Sequence, residues 1–141
     1  MKILIVGGGL IGQERLKALI KISTDYSLEM DITLVDLNES IISDIKNIYK
    51  IKVNNNLHDE LVKNPEWVFI STPHSISPEI VVESYKYTKN VVVDKPLGRN
   101  LEECNKILEA KPDDVELHVG LNYRFYLGIN LILNHIKDNL F

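Results

Sequence analysis

The chain has 141 residues, of which 45% are hydrophobic and 26% charged, a composition typical of a single globular domain. Its net charge of −4 argues against a nucleic-acid partner, because such proteins normally carry a basic surface. No apolar run reaches the roughly 18 residues of a membrane span, so no membrane association is predicted.

The N-terminus and the cysteine content favour a cytoplasmic protein. A short strand pattern from Ile3 to Val6 leads directly into glycines, unlike a signal peptide with its cleavage site. The one cysteine, Cys104, excludes an intramolecular disulfide and fits a reducing compartment. Cys104 lies in a helical pattern without a nearby basic group, so we expect it to be structural.

Six short runs rich in β-branched and aliphatic residues alternate with helical patterns. They predict strands at residues 2–6, 31–35, 51–53, 67–70, 90–93 and 115–119. The runs are continuously apolar, as in strands that are buried on both faces of a parallel sheet.

Five amphipathic stretches separate these strands. Their apolar faces are marked by Leu16, Leu19 and Ile20; by Ile41, Ile42, Ile45 and Ile48; by residues 57–62; by Ile80, Val81 and Tyr85; and by Leu101, Cys104, Ile107 and Leu108. Alternating strands and helices predict right-handed βαβ units. The expected fold is therefore α/β, a Rossmann-type, doubly wound parallel sheet with helices on both faces.

The last predicted helix, from Gly128 to Asn139, differs from the others. Together with Leu140 it carries more apolar residues than a solvent-facing terminal helix requires. We expect this helix to pack against a partner.

A glycine turn joins the first strand to the first helix. Gly7 permits the tight turn, Gly9 lets the backbone approach a pyrophosphate, and Gly12 lets the helix pack on the strand. With Leu10 and Ile11 between the last two glycines, this segment places the helix N-terminus where it can bind phosphate. The alternative is a glycine-rich turn that binds no ligand.

An acidic residue, Asp36, ends the second strand. A carboxylate at this position accepts hydrogen bonds from the adenosine ribose and repels a 2′-phosphate. Leu37 and Asn38 follow, and neither is an arginine that could hold that phosphate. NAD is therefore predicted in preference to NADP. The alternative role for Asp36 is to cap the next helix, a role that Asn38 could also fill.

Polar segments follow the last three strands, at the edge where ligands bind in an open parallel sheet. They contain the candidate cofactor-binding residues Ser71, Thr72, Pro73 and His74, then Asp94 and Lys95, then Asn122. The remaining histidines show no metal-ligand spacing, and no metal site is predicted.

The order of these motifs resembles the Gfo/Idh/MocA oxidoreductase family, and the resemblance covers nearly the whole chain. Asp94-Lys95-Pro96 looks like the family's Glu-Lys-Pro signature, with aspartate in place of glutamate. The resemblance implies that Lys95 lies beside the nicotinamide and the substrate as a catalytic residue; the alternative is a solvated loop lysine.

Two further segments carry the resemblance. Asn122 matches the asparagine of the family's Asn-x-Arg-Phe segment near the nicotinamide, although it could instead cap a turn. Thr72-Pro73 matches the loop that passes the cofactor ribose. His74 and Ser77 stand where the family usually has asparagine and histidine. The resemblance therefore does not decide whether side chains of this loop contact the cofactor. The alternative for His74 is an exposed loop residue.

The resemblance implies that residues 1–125 form an NAD(P)-binding domain and that residues 126–141 begin the helix leading to an absent substrate domain. We therefore expect the cofactor half of an NAD-dependent oxidoreductase that transfers hydride to or from a secondary alcohol or ketone of a sugar or cyclitol. The chain alone should be inactive, either as a fragment of a larger enzyme or as a natural stand-alone domain. Two alternatives remain: a non-catalytic NAD sensor or scaffold that forms a homo-oligomer through its last helix, and a different Rossmann enzyme, such as a methyltransferase that uses S-adenosylmethionine.

Overall fold

A computed structural model describes residues 1–137 and shows one six-stranded sheet with the strand order β3-β2-β1-β4-β5-β6. The strands are β1 Lys2–Val6, β2 Asp31–Val35, β3 Lys52–Asn54, β4 Trp67–Ile70, β5 Asn90–Asp94 and β6 Glu116–Gly120. All five strand pairings are parallel. The order reverses beside β1, which creates a crevice at the carboxyl edge between β1 and β4. The predicted α/β Rossmann-type fold is confirmed.

Helices cross between the strands in the predicted order. They are α1 Leu10–Asp25, α2 Glu39–Tyr49, α3 Leu57–Leu61, α4 Ser77–Ser84 and α5 Leu101–Glu109, followed by a 3₁₀ turn, η1 Asn122–Phe125, and by α6 Leu127–Lys137. Across residues 1–137, none of these helices combines the length and the apolar character that crossing a membrane requires.

The core has two parts because alternate strand residues point to opposite faces of the sheet. On one face, Ile3 and Ile5 of β1 pack with Leu16 of α1 and Ile45 of α2. On the other face, Leu4 and Val6 pack with residues of β4, β5, α3, α4 and α5. This burial on both faces explains why the strands read as continuously apolar.

Several predicted boundaries and faces differ from the structure. β3 and β6 lie one residue later than predicted, and β5 extends to Asp94, because the ladder pairs Val35 with Asn54 and Asp94 with Gly120. On α5, Leu101 and Leu108 are exposed and Ile107 alone is fully buried, so its apolar stripe is narrower than expected.

The last helix lies at the surface of the described chain. Ile132 and Ile136 are 55% and 56% exposed, in agreement with the excess of apolar residues seen in the sequence. The predicted helix end at Asn139, and the apolar Leu140, lie outside the described residues.

Candidate functional site

A cleft of about 780 Å³ opens at the carboxyl edge of the sheet. The glycine turn, the end of β2 and the segments after β4, β5 and β6 all contribute to it. Every predicted site residue except Gly12 lines this cleft: Gly7, Gly9, Leu10, Ile11, Asp36, Ser71, Thr72, Pro73, His74, Asp94, Lys95 and Asn122. The structure thus brings the dispersed sequence motifs into one place.

The three motif glycines are required for different reasons. Gly7 has a positive φ of 97°, and a Cβ there would lie 2.5 Å from the Ser71 carbonyl oxygen. A Cβ at Gly12 would lie 1.8 Å from the Gly7 carbonyl oxygen, so Gly12 permits α1 to pack on β1. A Cβ at Gly9 would meet nothing within 4 Å. Gly9 therefore opens onto the cleft, where a ligand could approach its backbone.

The start of α1 fits a phosphate group. No side chain caps it at Gly9, and its first turn has no acidic residue. By contrast, asparagine side chains cap α2, α3 and α5. The uncapped N–H groups of α1 and the positive end of its dipole therefore remain available to an anion in the cleft.

Asp36 organises one end of the cleft, which we call the Asp36 end (Gly8, Asp36 and Asn38). Its Oδ2 accepts a hydrogen bond from the Gly8 N–H at 2.6 Å, and its Oδ1 accepts one from the Asn38 N–H at 2.8 Å. Asn38, rather than Asp36, caps α2 by accepting from the Ser40 N–H at 2.9 Å. Asp36 is therefore tied to the glycine turn and still faces the cleft.

Sequence reasoning missed the role of Gly8. A Cβ at this position would lie 2.6 Å from Ile41 Cγ2 and 2.9 Å from Ile45 Cδ1, both on α2. Gly8 thus allows α2 to pack against the turn. The sequence signal was the middle residue of Gly7-Gly8-Gly9, whose identity as glycine the Gly-x-Gly motif does not require.

The segment after β4 is held in shape by Ser77, one of its two residues that depart from the usual family pattern. Ser77 is 3% exposed, and its hydroxyl lies 3.0 Å and 3.1 Å from the carbonyl oxygens of Thr72 and Pro73. His74 is exposed in the same segment. The loop is thus shaped by a buried serine hydroxyl, so its backbone is positioned without a histidine at residue 77.

The opposite end of the cleft, the Lys95 end (Ser71, Asp94, Lys95 and Asn122), carries a cation. Lys95 is exposed and forms no ion pair with any of residues 1–137. Asn122 is the first residue of η1, and no side chain caps the start of this turn at Leu121. Both side chains lie on the cleft with hydrogen-bonding groups to offer a ligand.

Sequence reasoning also missed Arg15, on α1. Its Nε donates to Ser71 Oγ at 3.1 Å, and its Nη2 donates to Asp94 Oδ1 in an ion pair. The guanidinium carbon lies 5.6 Å from the centre of the Phe69 ring. The only sequence signal was its position three residues after Gly12, which places it on the helix face above the sheet.

Comparison with known proteins identifies the family. A sequence model described as "Oxidoreductase family, NAD-binding Rossmann fold" (Gfo/Idh/MocA) matches residues 1–121. The chain belongs to the Gfo/Idh/MocA oxidoreductase family. The resemblance seen in the motifs and the prediction of an NAD-binding domain are thereby confirmed at the level of the family.

Individual relatives agree with this assignment. An uncharacterized oxidoreductase, YrbE, of Bacillus subtilis is 26% identical over 125 residues, covering 86% of this chain and 35% of the relative. Levoglucosan dehydrogenase of Pseudarthrobacter phenanthrenivorans is 21% identical, covering 95% of this chain and 36% of the enzyme. The chain therefore spans about a third of the length of these curated relatives.

A solved structure shows the same fold. The WlbA dehydrogenase of Bordetella pertussis, crystallised with NADH and UDP-GlcNAcA, superposes with a TM-score of 0.85 at 19% identity. The match covers 98% of this chain and 41% of that one.

Proposed function

We propose that this chain holds NAD in the carboxyl-edge cleft as the cofactor half of an oxidoreductase. The observation that carries the proposal is the open backbone at Gly9, directly before the uncapped start of α1. Phosphates placed there accept hydrogen bonds from the α1 N–H groups. Asp36 would accept hydrogen bonds from the adenosine ribose, and Lys95 would hold the nicotinamide half of the cofactor.

Family membership supports oxidoreductase chemistry at the Lys95 end. Bound NAD supplies a hydride acceptor, and NADH a hydride donor. Lys95 would donate a hydrogen bond to the oxygen of a ketone, or to the alkoxide oxygen that forms when a secondary alcohol gives its proton to a base outside residues 1–137, and would so stabilise the negative charge on that oxygen during hydride transfer. Asn122 helps to orient the same region through its amide group.

A sugar or cyclitol is the proposed substrate class. The levoglucosan dehydrogenase relative is named for a sugar derivative, and the WlbA structure contains a nucleotide sugar. Because this chain spans only about a third of its curated relatives, we assign the cofactor domain to residues 1–125 and propose that substrate selection depends on a further domain beyond residues 126–141. The 141-residue chain alone should accordingly show no sugar dehydrogenase activity.

Calorimetric titration with NADH tests the cofactor assignment. The wild-type chain should bind NADH. Gly9→Val should abolish detectable binding because the valine side chain would fill the space in which we place the pyrophosphate. The variant should melt at the wild-type temperature, since a Cβ at Gly9 meets nothing in the protein. A wild-type chain that fails to bind NADH would overturn the proposal.

The exposed apolar side chains of α6 support a second candidate function. In this alternative the chain is a non-catalytic NAD sensor that forms a homo-oligomer through α6. Analytical ultracentrifugation distinguishes the two, because a sensor should change its oligomeric state when NAD is added. An NAD-independent monomer would exclude the sensor and leave the oxidoreductase assignment intact.

A further inference from the structure

We propose that Arg15 is a positioning residue that holds the Lys95 end of the cleft in place for the nicotinamide half of NAD. This inference rests on the proposed function, since it assigns the nicotinamide to the Lys95 end. Arg15 would act through Ser71 and Asp94, and so shape the cofactor site from the face of α1 that packs on the sheet.

The guanidinium of Arg15 joins two strand ends. The ladder between β4 and β5 ends at the pair Ile70 and Val93. Ser71 and Asp94 are the residues that directly follow this pair, one after each strand position. Arg15 donates one hydrogen bond to each of them. The side chain therefore continues the connection between β4 and β5 beyond their last backbone pair.

The contacts are sheltered from water, which makes them effective. The side chains of Arg15 and Asp94 are 17% and 20% exposed, and the guanidinium lies against the Phe69 ring. Charge-assisted hydrogen bonds are stronger than neutral ones, and a planar guanidinium can satisfy two acceptors at fixed directions. The backbone that leads into Lys95 is thus held by its preceding residue, Asp94.

Gly120 provides the space that this arrangement needs. It pairs with Asp94 in the ladder between β5 and β6. A Cβ at Gly120 would lie 3.1 Å from Arg15 Nη2 and 3.5 Å from Asp94 Oδ1. A side chain at this position would therefore crowd the guanidinium, whereas its distance to Asp94 Oδ1 is an ordinary van der Waals contact.

The Asp36 end does not depend on Arg15. The carboxylate of Asp36 is held by the backbone N–H groups of Gly8 and Asn38. Removing the guanidinium should consequently disturb the nicotinamide half of the site and leave the half that binds the adenosine diphosphate unchanged. This asymmetry separates a positioning role from a general loss of stability.

The test compares NADH with ADP as ligands of Arg15→Met, a variant that keeps an apolar stem against Phe69. Loss of the two hydrogen bonds should weaken NADH binding about tenfold, while the dissociation constant for ADP stays within about twofold of the wild type. The fluorescence of bound NADH, which reports on the nicotinamide environment, should move towards that of free NADH. Arg15→Lys should restore part of the affinity because one donor can be replaced.

Gly120→Ala supplies a matched test that leaves Arg15 in the chain. It should weaken NADH binding in the wild-type background and add no further loss in Arg15→Met, because the guanidinium that it displaces is already absent. Losses that simply add in the double variant would overturn the inference. If Arg15→Met does not fold, the NADH and ADP affinities of Gly120→Ala decide the question in the same way.

The outcomes distinguish this inference from the proposed function. A wild-type chain that binds neither ligand would overturn the proposed function. A wild-type chain that binds both, with variants that lose NADH and ADP equally or lose neither, would overturn the role of Arg15 alone.

Discussion

The two ends of the cleft are built by different kinds of contact. At the Asp36 end, a carboxylate accepts hydrogen bonds from backbone N–H groups, one of them only two residues away along the chain. At the Lys95 end, Arg15 reaches side chains 56 and 79 residues away. The first end depends on two backbone N–H groups, one of which, that of Gly8, is 28 residues away and reaches Asp36 because β1 pairs with β2. The second depends on side chains that come together only after the sheet has formed.

The largest expected effect comes from a substitution that disturbs both ends of the cleft because it displaces β1 or α1. In Gly12→Ala the new Cβ would overlap the Gly7 carbonyl oxygen, a backbone atom that cannot move without displacing β1 or α1. We expect a loss of about 3 kcal/mol in the free energy of unfolding, measured by guanidinium denaturation. Gly9→Ala is the matched control and should unfold like the wild type. Equal stability of the Gly12→Ala and Gly9→Ala chains would contradict the packing role of Gly12.

A smaller effect should follow when only the Asp36 end is broken. Asp36→Ala removes the acceptor for the Gly8 and Asn38 N–H groups, which should reduce the free energy of unfolding by about 2 kcal/mol. Calorimetry should show that NADH and ADP both bind more weakly, to the same extent, because both contain the adenosine ribose. A loss confined to NADH would show that the two ends are not independent.

The cap of α2 offers a weaker perturbation beside the same end. Asn38→Ala should lower the free energy of unfolding by about 1 kcal/mol, since the Ser40 N–H loses its acceptor. Asn100→Ala removes an equivalent cap from α5, away from the cleft residues, and should cost a similar amount. Thermal melts measure both losses, and NADH binding should be unchanged in Asn100→Ala. Weaker NADH binding in Asn100→Ala would place α5 in the cofactor site.

The smallest expected effect is a pH-dependent change in stability at Glu60 of α3, whose carboxylate accepts a hydrogen bond from Asn54 of β3. Burial raises the pKa of Glu60, but hydrogen bonds from Asn54 and Lys63 outweigh it, and the pKa lies below its ordinary value of 4.5. A lowered pKa in the folded state means that ionised Glu60 contributes stability above pH 4.5, and that this contribution is lost as the pH falls through the folded-state pKa.

Glu60→Gln tests this pH dependence. The difference in free energy of unfolding between the wild type and Glu60→Gln should be greatest near neutral pH and should shrink as the pH falls below 4.5. Urea denaturation across this range measures it. A difference that stays constant with pH would indicate that the Glu60 carboxylate contributes no charge-dependent stability.

Much of the fold could be predicted because its signals are local. Continuously apolar strands such as Val91 to Val93 indicate burial on both faces, and they alternate with amphipathic helices. Strand ends were less predictable: the run at residues 51–53 is shifted by one residue in the structure because ladder pairing with β2, rather than side-chain polarity, sets its register. On α5, the apolar residues Leu101 and Leu108 lie outside the buried stripe because helix rotation depends on what α5 packs against.

By itself, the sequence determined the positions where backbone geometry leaves few residue types possible. The glycines at 7 and 12 and the carboxylate of Asp36 belong to this class, because a Cβ or a different side chain would conflict with the turn or leave its N–H groups unpaired. Only the tertiary structure decided which side chains would support the Lys95 end. Arg15, Ser71 and Asp94 are separated along the chain, and they meet because parallel strands bring their carboxyl ends to one edge beneath α1.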